Sequence, residues 1–415
     1  MHIGLGSGPL LRYYSTIGKM NLLYIGTWSF GDPLSRSTIL PHLEVLKHEF
    51  NFSKIVYCSL ERSSSTSSNL QQNSEMFHLP YFTKSEFRMV ENISSYIKYF
   101  VHLRKAIDKH RIDMIICRGA LAGSLGYKLW KYTNIDFLVE SFEPHSQYMV
   151  EAGTWSVWNP KFIIQKYFEN KQKKHALGLM PVSVNYKNKL LSEGIEKDRI
   201  QVLPCTVDTG VFKPSEDSTQ TRERLGFFKD QIIGIYVGKF GDIYLDKETF
   251  YIFKKSFQYF GSDFRLIILS PQSGQSIMER VHSHKLDPDK VMVSYVDAVG
   301  LKDFLTIADF AYCTVRPGKS SHFCCPVKNG EYWAMGLPVV IPHGIGDDSE
   351  LIETHNAGVI LKNFKEAHLF DCFEGLNNIL NEPNHKIRIR ELAKKYRSRE
   401  FIQRAYSHFF GLPNN

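Results

Sequence analysis

The sequence predicts an α/β protein made of two doubly wound, parallel-sheet domains, and three observations predict it. At 415 residues the chain is longer than one hydrophobic core comfortably supports. From Met20 onward, short apolar or β-branched runs alternate with longer amphipathic ones, the pattern of parallel strands joined by crossover helices. The alternation breaks once, at CTVDTGVFKPSEDSTQTRERLGF, where apolar density falls and Pro, Ser, Asp and Thr accumulate, and it then resumes beyond this linker.

In chain order, NLLYIG, KIVYCS, DMIICR, DFLVES, GLMPVS and RIQVLP read as strands of the first domain. STILPHLEVLKHEF and GSLGYKLWKY read as crossover helices, and the polar, serine-rich Arg62–Ser74 stretch reads as a loop. IIGIYVG, FRLIILS, KVMVSY, FAYCTV, LPVVIP and AGVIL read as strands of the second. A last helix is expected over about Lys386 to Phe410, with Ile402, Tyr406, Phe409 and Phe410 on one stripe that must pack against something. The expected division is residues 1–19 outside the fold, 20–205 as the first domain, 206–228 as linker, 229–385 as the second domain and 386–415 as a returning helix.

Hydrophobic residues at 43% and charged residues at 23% exclude disordered, collagen-like and coiled-coil classes. A formal charge of +8 weakly favours an anionic partner. Part of that charge sits in KFIIQKYFENKQKKH (Lys161–His175), where Lys161, Lys166, Lys171, Lys173 and Lys174 interleave with Phe162, Ile163, Ile164, Tyr167 and Phe168. Two readings stay open: a surface for anionic membrane lipid, or a solvated helix face beside a core. Seven cysteines without C-x-x-C spacing point to reduced thiols, and no apolar run is long enough to span a bilayer. A cytoplasmic protein with possible peripheral membrane contact is therefore expected.

In open parallel sheets, ligands collect beyond the carboxyl ends of the strands, so chemistry is sought after IIGIYVG, FAYCTV and LPVVIP. The most informative stretch is PVKNGEYWAMGLPVV (Pro326–Val340). A helix start at Lys328-Asn329-Gly330 would leave backbone N–H groups free for a diphosphate. One turn in, the Glu331 carboxylate can accept from both ribose hydroxyls of a nucleotide; the alternative is a carboxylate that complements the helix dipole. Lys239 follows Gly238 at a strand end, where the glycine permits close backbone approach and the ammonium can steady a departing diphosphate. Its alternative is a solvated surface charge.

Four ordered segments resemble the retaining GT-B glycosyltransferases of the family 4 type over most of Met20 to Phe410. E-Y-x-A-x-G-x-P-V-V ending at Val340 looks like that family's donor signature, with Glu331 at the ribose-binding glutamate. VLPCTVDTGVFKP, with Pro204, Asp208, Phe212 and Pro214, resembles its strand-to-linker signature; YVGKFGDIYLDKE and GIGDDSELI resemble its two glycine-containing loops. Phe323 stands where the family carries a sugar-contacting glutamate, and C-P-V-K-N-G-E-Y resembles a variant branch written P-x-K-x-x-E-Y.

The resemblance implies two Rossmann-like domains facing across a cleft, with a C-terminal helix crossing back to the first. It implies a UDP- or GDP-sugar donor, a carbohydrate or lipid-linked carbohydrate acceptor, retention at the anomeric carbon, and a role in bacterial surface polysaccharide synthesis. Lys239, Lys328 and His145 are the expected catalytic residues; Gly238, Lys247, Asn329, Gly330, Glu331 and Tyr332 are expected on the donor side, and Glu143 on the acceptor side. Lys247 and Lys328 compete for the second cation. No cofactor, catalytic metal or nucleic-acid partner is expected. Asp287-Pro-Asp289 is read as a turn, Gly318-Lys319-Ser320 lacks the first glycine of a phosphate-binding loop, and His322, Cys324 and Cys325 lack a fourth metal ligand. Two other readings are a nucleotide-sugar epimerase or hydrolase of the same architecture, and a degenerate binding subunit suggested by Phe323.

Overall fold

The structure, a computed structural model, describes residues 19–50, 52–61, 75–83, 93–215 and 218–411. Residues 1–18 and the serine-rich stretch 62–74 lie outside the described residues. The chain forms two compact units: Met1–Val150, Trp155–Pro204 and Arg399–Asn415 make the first, Glu151–Thr154 and Cys205–Ser398 the second.

The first unit runs β1 (Met20–Ile25), α1 (Pro33–Glu49), β2 (Phe52–Glu61), β3 (Met76–Phe82), α2 (Ile93–His110), β4 (Met114–Arg118), α3 (Gly119–Thr133), β5 (Phe137–Phe142), α4 (His145–Glu151), α5 (Pro160–His175), β6 (Gly178–Pro181) and α6 (Val184–Ser192). Its six strands are parallel, in the order β3-β2-β1-β4-β5-β6. β1, β4 and β5 are central and buried on both faces, which is why they read as unbroken apolar runs. RIQVLP does not become a seventh strand. It runs beside β6 through the Leu179–Ile200 bridge and two hydrogen bonds, Gln201 N to Leu179 O at 3.1 Å and Leu203 N to Pro181 O at 2.9 Å. Four residues of β6 offer no longer ladder, and Pro204 has no N–H to extend it.

The second unit runs α7 (Ser218–Arg224), β7 (Ile232–Val237), α8 (Lys247–Phe260), β8 (Phe264–Leu269), α9 (Gly274–Ser283), β9 (Val291–Ser294), α10 (Ala298–Ile307), β10 (Phe310–Tyr312), α11 (Val327–Ala334), β11 (Val339–Pro342), α12 (Asp348–Thr354), β12 (Gly358–Leu361), α13 (Glu366–Asn381) and α14 (His385–Arg397). Its strands are again all parallel, in the order β12-β11-β10-β7-β8-β9. Both sheets therefore have the strand order of a dinucleotide-type doubly wound fold, whose topological switch falls between β1 and β4 in one unit and between β7 and β10 in the other. One core lies on each face of the second sheet, around Ile235, Ile267 and Trp333 on one side and Phe250, Phe264 and Phe310 on the other.

The stretch expected as one helix from Lys386 to Phe410 is two. α14 ends at Arg397, Ser398 is extended (φ −66°, ψ 157°), and α15 (Glu400–Phe410) belongs to the first unit. Ile402, Ala405, Tyr406 and Phe409 of α15 join the core of β1, α1 and β4. Gly178 at the start of β6 makes room for them, because a Cβ there would run into the Phe409 ring.

Candidate functional site

The loops after β7 and β10, on either side of the switch point, are clasped together. Leu245 N donates to Thr314 O at 2.8 Å, Arg316 N to Ile243 O at 2.9 Å, and Tyr244 pairs with Val315 in an antiparallel bridge. Gly238 opens the first of these loops with φ 157°, and Gln272 holds Phe240 by both its N–H (2.8 Å) and its carbonyl (3.2 Å). Between them the Lys239 side chain is exposed, with no ion pair among the described residues. Lys247 is also exposed and is the first residue of α8. Thus the fold sets an ammonium group beyond the carboxyl end of β7, where a parallel sheet presents its loops to a ligand.

Helix α11 follows the loop after β10 and starts at Val327, one residue before the expected start. Pro326 at the N-cap provides no side-chain cap, so the first N–H groups of the helix keep the positive end of its dipole. Lys328 and Glu331 meet on one side of this helix: Nζ donates to Oε2 at 2.8 Å, with the lysine half-buried and the Glu331 residue 4% exposed. Glu331 is the fifth helical residue. It therefore lies past the first turn, where a carboxylate gains most from the helix dipole.

The other expected donor residues of α11 face inward. Asn329 is fully buried and its amide donates to Asp348 Oδ2 at 2.7 Å. Gly330 packs toward Val207 and Arg397, and Tyr332 is fully buried in the core, where burial pushes its hydroxyl pKa well up. These residues position α11. Arg397 binds Asp348 and Cys325 and lies over the Trp333 ring at 5.4 Å, while Arg390 donates to Ala334 O, to Phe212 O at 2.8 Å and to Thr209 O at 2.6 Å. Burial raises the pKa of Asp348 well above the usual carboxylate range, opposed by the Asn329 amide. Sequence reading missed Asp348, Arg390 and Arg397.

Gly346, in the loop after β11, has φ +51° and donates its N–H to Ser321 O at 2.8 Å. A Cβ there would meet the carbonyl of Cys324, the residue whose N–H closes the turn Ser321–Phe323 by donating to Ser321 O. Gly346→Ala is therefore expected to cost more than about 1 kcal/mol, read as a lower urea midpoint with unchanged slope. Phe323, in that turn, is half-buried. The Asp287-Pro-Asp289 segment is a 3-10 turn closed by Asp287, whose carboxylate accepts from Asp289 N at 3.1 Å. Among the described residues no group of three His, Cys, Asp or Glu side chains is arranged to hold a metal, and all seven cysteines are free thiols.

In the first unit, His145 opens α4 with its Nδ1 3.6 Å from Glu143 Oε1 and its ring edge-on to Trp155. The helix start is held from behind, since Glu169 accepts from Ser146 N and Oγ, both at 2.7 Å. Burial raises the Glu169 carboxyl pKa, and the bonds from Ser146 oppose that rise. Just upstream, Ser141 has φ 50° and the β5–β6 register shifts between Glu140 and Phe142, a bulge that redirects the chain into the Glu143–His145 loop. Glu140 itself is fully buried at this bulge and was not anticipated from the sequence.

No protein-family model matches the chain. Among curated proteins, a peptidyl-tRNA hydrolase from Caldicellulosiruptor bescii is 34% identical over 94 residues, which are 21% of this chain and 47% of that protein. The chain thus spans about half the length of the curated relative it matches. Solved structures match almost throughout. Sucrose-phosphate synthase from Thermosynechococcus elongatus has a TM-score of 0.69 at 14% identity, covering 92% of this chain and 96% of that one. HepE from Anabaena, in complex with UDP and glucose, has a TM-score of 0.67 at 13% identity, covering 94% and 98%. A UDP-N-acetylglucosamine 2-epimerase has a TM-score of 0.61 at 12% identity, covering 94% and 95%. With two parallel six-stranded sheets and flanking helices, the chain has the GT-B fold.

Proposed function

We propose that this protein is a glycosyltransferase that moves a sugar from a UDP- or GDP-sugar to a hydroxyl of a carbohydrate or lipid-linked carbohydrate. The observation that carries the reading is the Lys328–Glu331 pair at the open start of α11, on a sheet whose switch-point loop presents Lys239. In this reading Glu331 accepts from the ribose hydroxyls. The α11 start and Lys239 take the diphosphate, with Lys328 or Lys247 as second cation. As the bond between the anomeric carbon and the diphosphate oxygen breaks, its electron pair stays on the phosphate, where these cations stabilise it. The acceptor oxygen bonds to the carbon on the same face, and its proton leaves on the diphosphate, giving retention. His145 orients the sugar or acceptor by hydrogen bonding, with Glu143 beside it. The similarity to a UDP-bound HepE structure supports a nucleotide-sugar donor, and bacterial surface polysaccharide is the proposed product class.

A thermal-shift series with UDP, GDP and their sugars is the direct test, with a saturable rise in Tm expected for one nucleotide. No response to any nucleoside diphosphate would favour a degenerate binding subunit. The similarity to a 2-epimerase favours one further reading, action on the nucleotide sugar itself. Product analysis without acceptor separates the two: transfer requires acceptor, whereas an epimer or free sugar formed in its absence would replace this proposal.

A further inference from the structure

Helix α5 is packed the wrong way round for a helix in water. The residues it turns inward are Gln165, Glu169 and Gln172, spaced i, i+4 and i+7 as apolar residues normally are. They are received by a polar layer: Gln172 Nε2 donates to Ala120 O at 2.9 Å, Gln165 Nε2 to Glu169 Oε1 at 3.2 Å, and Glu169 takes both bonds from Ser146. Gly123 of α3 allows the close approach, because a Cβ there would run into the Gln172 amide. The outward side carries Ile163 (55% exposed), Ile164 (50%) and Tyr167 (52%), preceded by Val157 (48%) and Trp158 (86%).

Around this apolar side lie Lys166, Lys171 and Lys174, with Lys171 Nζ 5.3 Å from the Tyr167 ring centre. The only acid of α5, Glu169, is buried with its hydrogen-bonding partners. The outer surface of the helix is therefore aliphatic, aromatic and cationic, with no carboxylate of its own to offset the lysines. A protein partner of ordinary composition needs no such combination, whereas the boundary of an anionic bilayer takes all three: acyl chains accept the aliphatic side chains, the headgroup layer suits Trp and Tyr, and phosphate attracts lysine.

We infer that the outward face of α5, together with Val157 and Trp158, docks the protein on an anionic lipid surface. The inference stands apart from the proposed sugar transfer, because its test contains no nucleotide or sugar. Full-length protein is sedimented with vesicles of phosphatidylcholine alone or with added phosphatidylglycerol. Binding is expected only to the anionic vesicles and is expected to weaken as salt rises.

Trp158→Ser/Ile163→Ser/Tyr167→Ser is expected to abolish binding, and Lys166→Glu/Lys171→Glu/Lys174→Glu to weaken it about a hundredfold or more, at about fivefold per lysine lost. Apart from the half-buried Lys171, both variants change exposed side chains, and both should keep the wild-type Tm. Wild-type protein that ignores anionic vesicles, or variants that bind as wild type does, would overturn the inference. So would concentration-dependent dimerisation abolished by the serine variant, which would make a second copy of the chain the occupant.

Discussion

Replacing Glu331 by alanine is expected to weaken binding of the cognate nucleoside diphosphate about ten- to a hundredfold, the worth of one or two hydrogen bonds to a charged group. Isothermal titration calorimetry on the folded variant reads this directly. Glu331 is almost fully buried on its helix and its Oε2 accepts from Lys328 at 2.8 Å, so the substitution has two opposed effects. It removes the acceptor for the ribose, and it releases an ammonium that can attract phosphate. Glu331→Gln separates them, because the amide keeps one acceptor oxygen while the charge is lost, and an intermediate affinity is expected. The double variant Lys328→Ala/Glu331→Ala should bind no better than Glu331→Ala if the released lysine contributes to phosphate binding. A Glu331→Ala protein that keeps full affinity for the nucleotide it recognises would end the ribose assignment, leaving the carboxylate with a role only in fixing Lys328.

Most of the fold was legible because the central strands are buried on both faces and therefore read as continuous apolar runs. What escaped has specific physical causes. β3 is an edge strand containing His78 and Pro80, half-buried and without alternation, so nothing marked it. RIQVLP has strand composition but meets only the short β6. The break at Ser398 is invisible in periodicity because Arg397 occupies a buried position, where Asp348, distant in sequence, meets its charge and Cys325 and the Cys205 carbonyl take further bonds. In the candidate site, Lys328 and Glu331 were legible as neighbours because residues three apart share a helix face. That Asn329, Gly330 and Tyr332 face the core was not, because the motif alone does not say which side of α11 the sheet covers. For helix α5 the sequence left two readings open and did not mark the buried face: Gln165, Glu169 and Gln172 become a packing face only once Ser124, Ser146 and the Ala120 carbonyl are in place to receive them.

Glu140 carries the largest expected effect on stability. Its carboxylate receives four donors from four different elements: Tyr24 of β1 and Arg118 of β4 on Oε1, and His42 of α1 and Tyr406 of α15 on Oε2, the last three at 2.8, 2.6 and 2.6 Å. An ionised carboxylate has about four acceptor positions, whereas a glutamine offers one oxygen and two donors of its own. Glu140→Gln therefore leaves buried donors facing an amide N–H₂, and a loss of about 3–5 kcal/mol is expected, as when one member of a buried charge network is removed. Urea unfolding reads the loss. The α15 contact should suffer first, since Tyr406 and His42 share one carboxylate oxygen.

The pH dependence has a definite sign. Burial acts to raise the Glu140 pKa, but the positive fields of His42 and Arg118, with hydrogen bonds from His42 and Tyr24, overcome it and hold the carboxyl well below its usual range. A folded-state pKa below the unfolded one gives stability that is fully present above the unfolded value, about 4.3 for glutamate, and is lost as pH falls toward the folded value. The contribution of Glu140 to stability should accordingly be held from neutral pH down to about pH 5 and then be lost on further acidification. Glu140→Gln should start lower and fall less steeply over the same range, so that the two curves converge in acid. Parallel curves would show that Glu140 is not the carboxylate that ties the strands, α1 and α15 together.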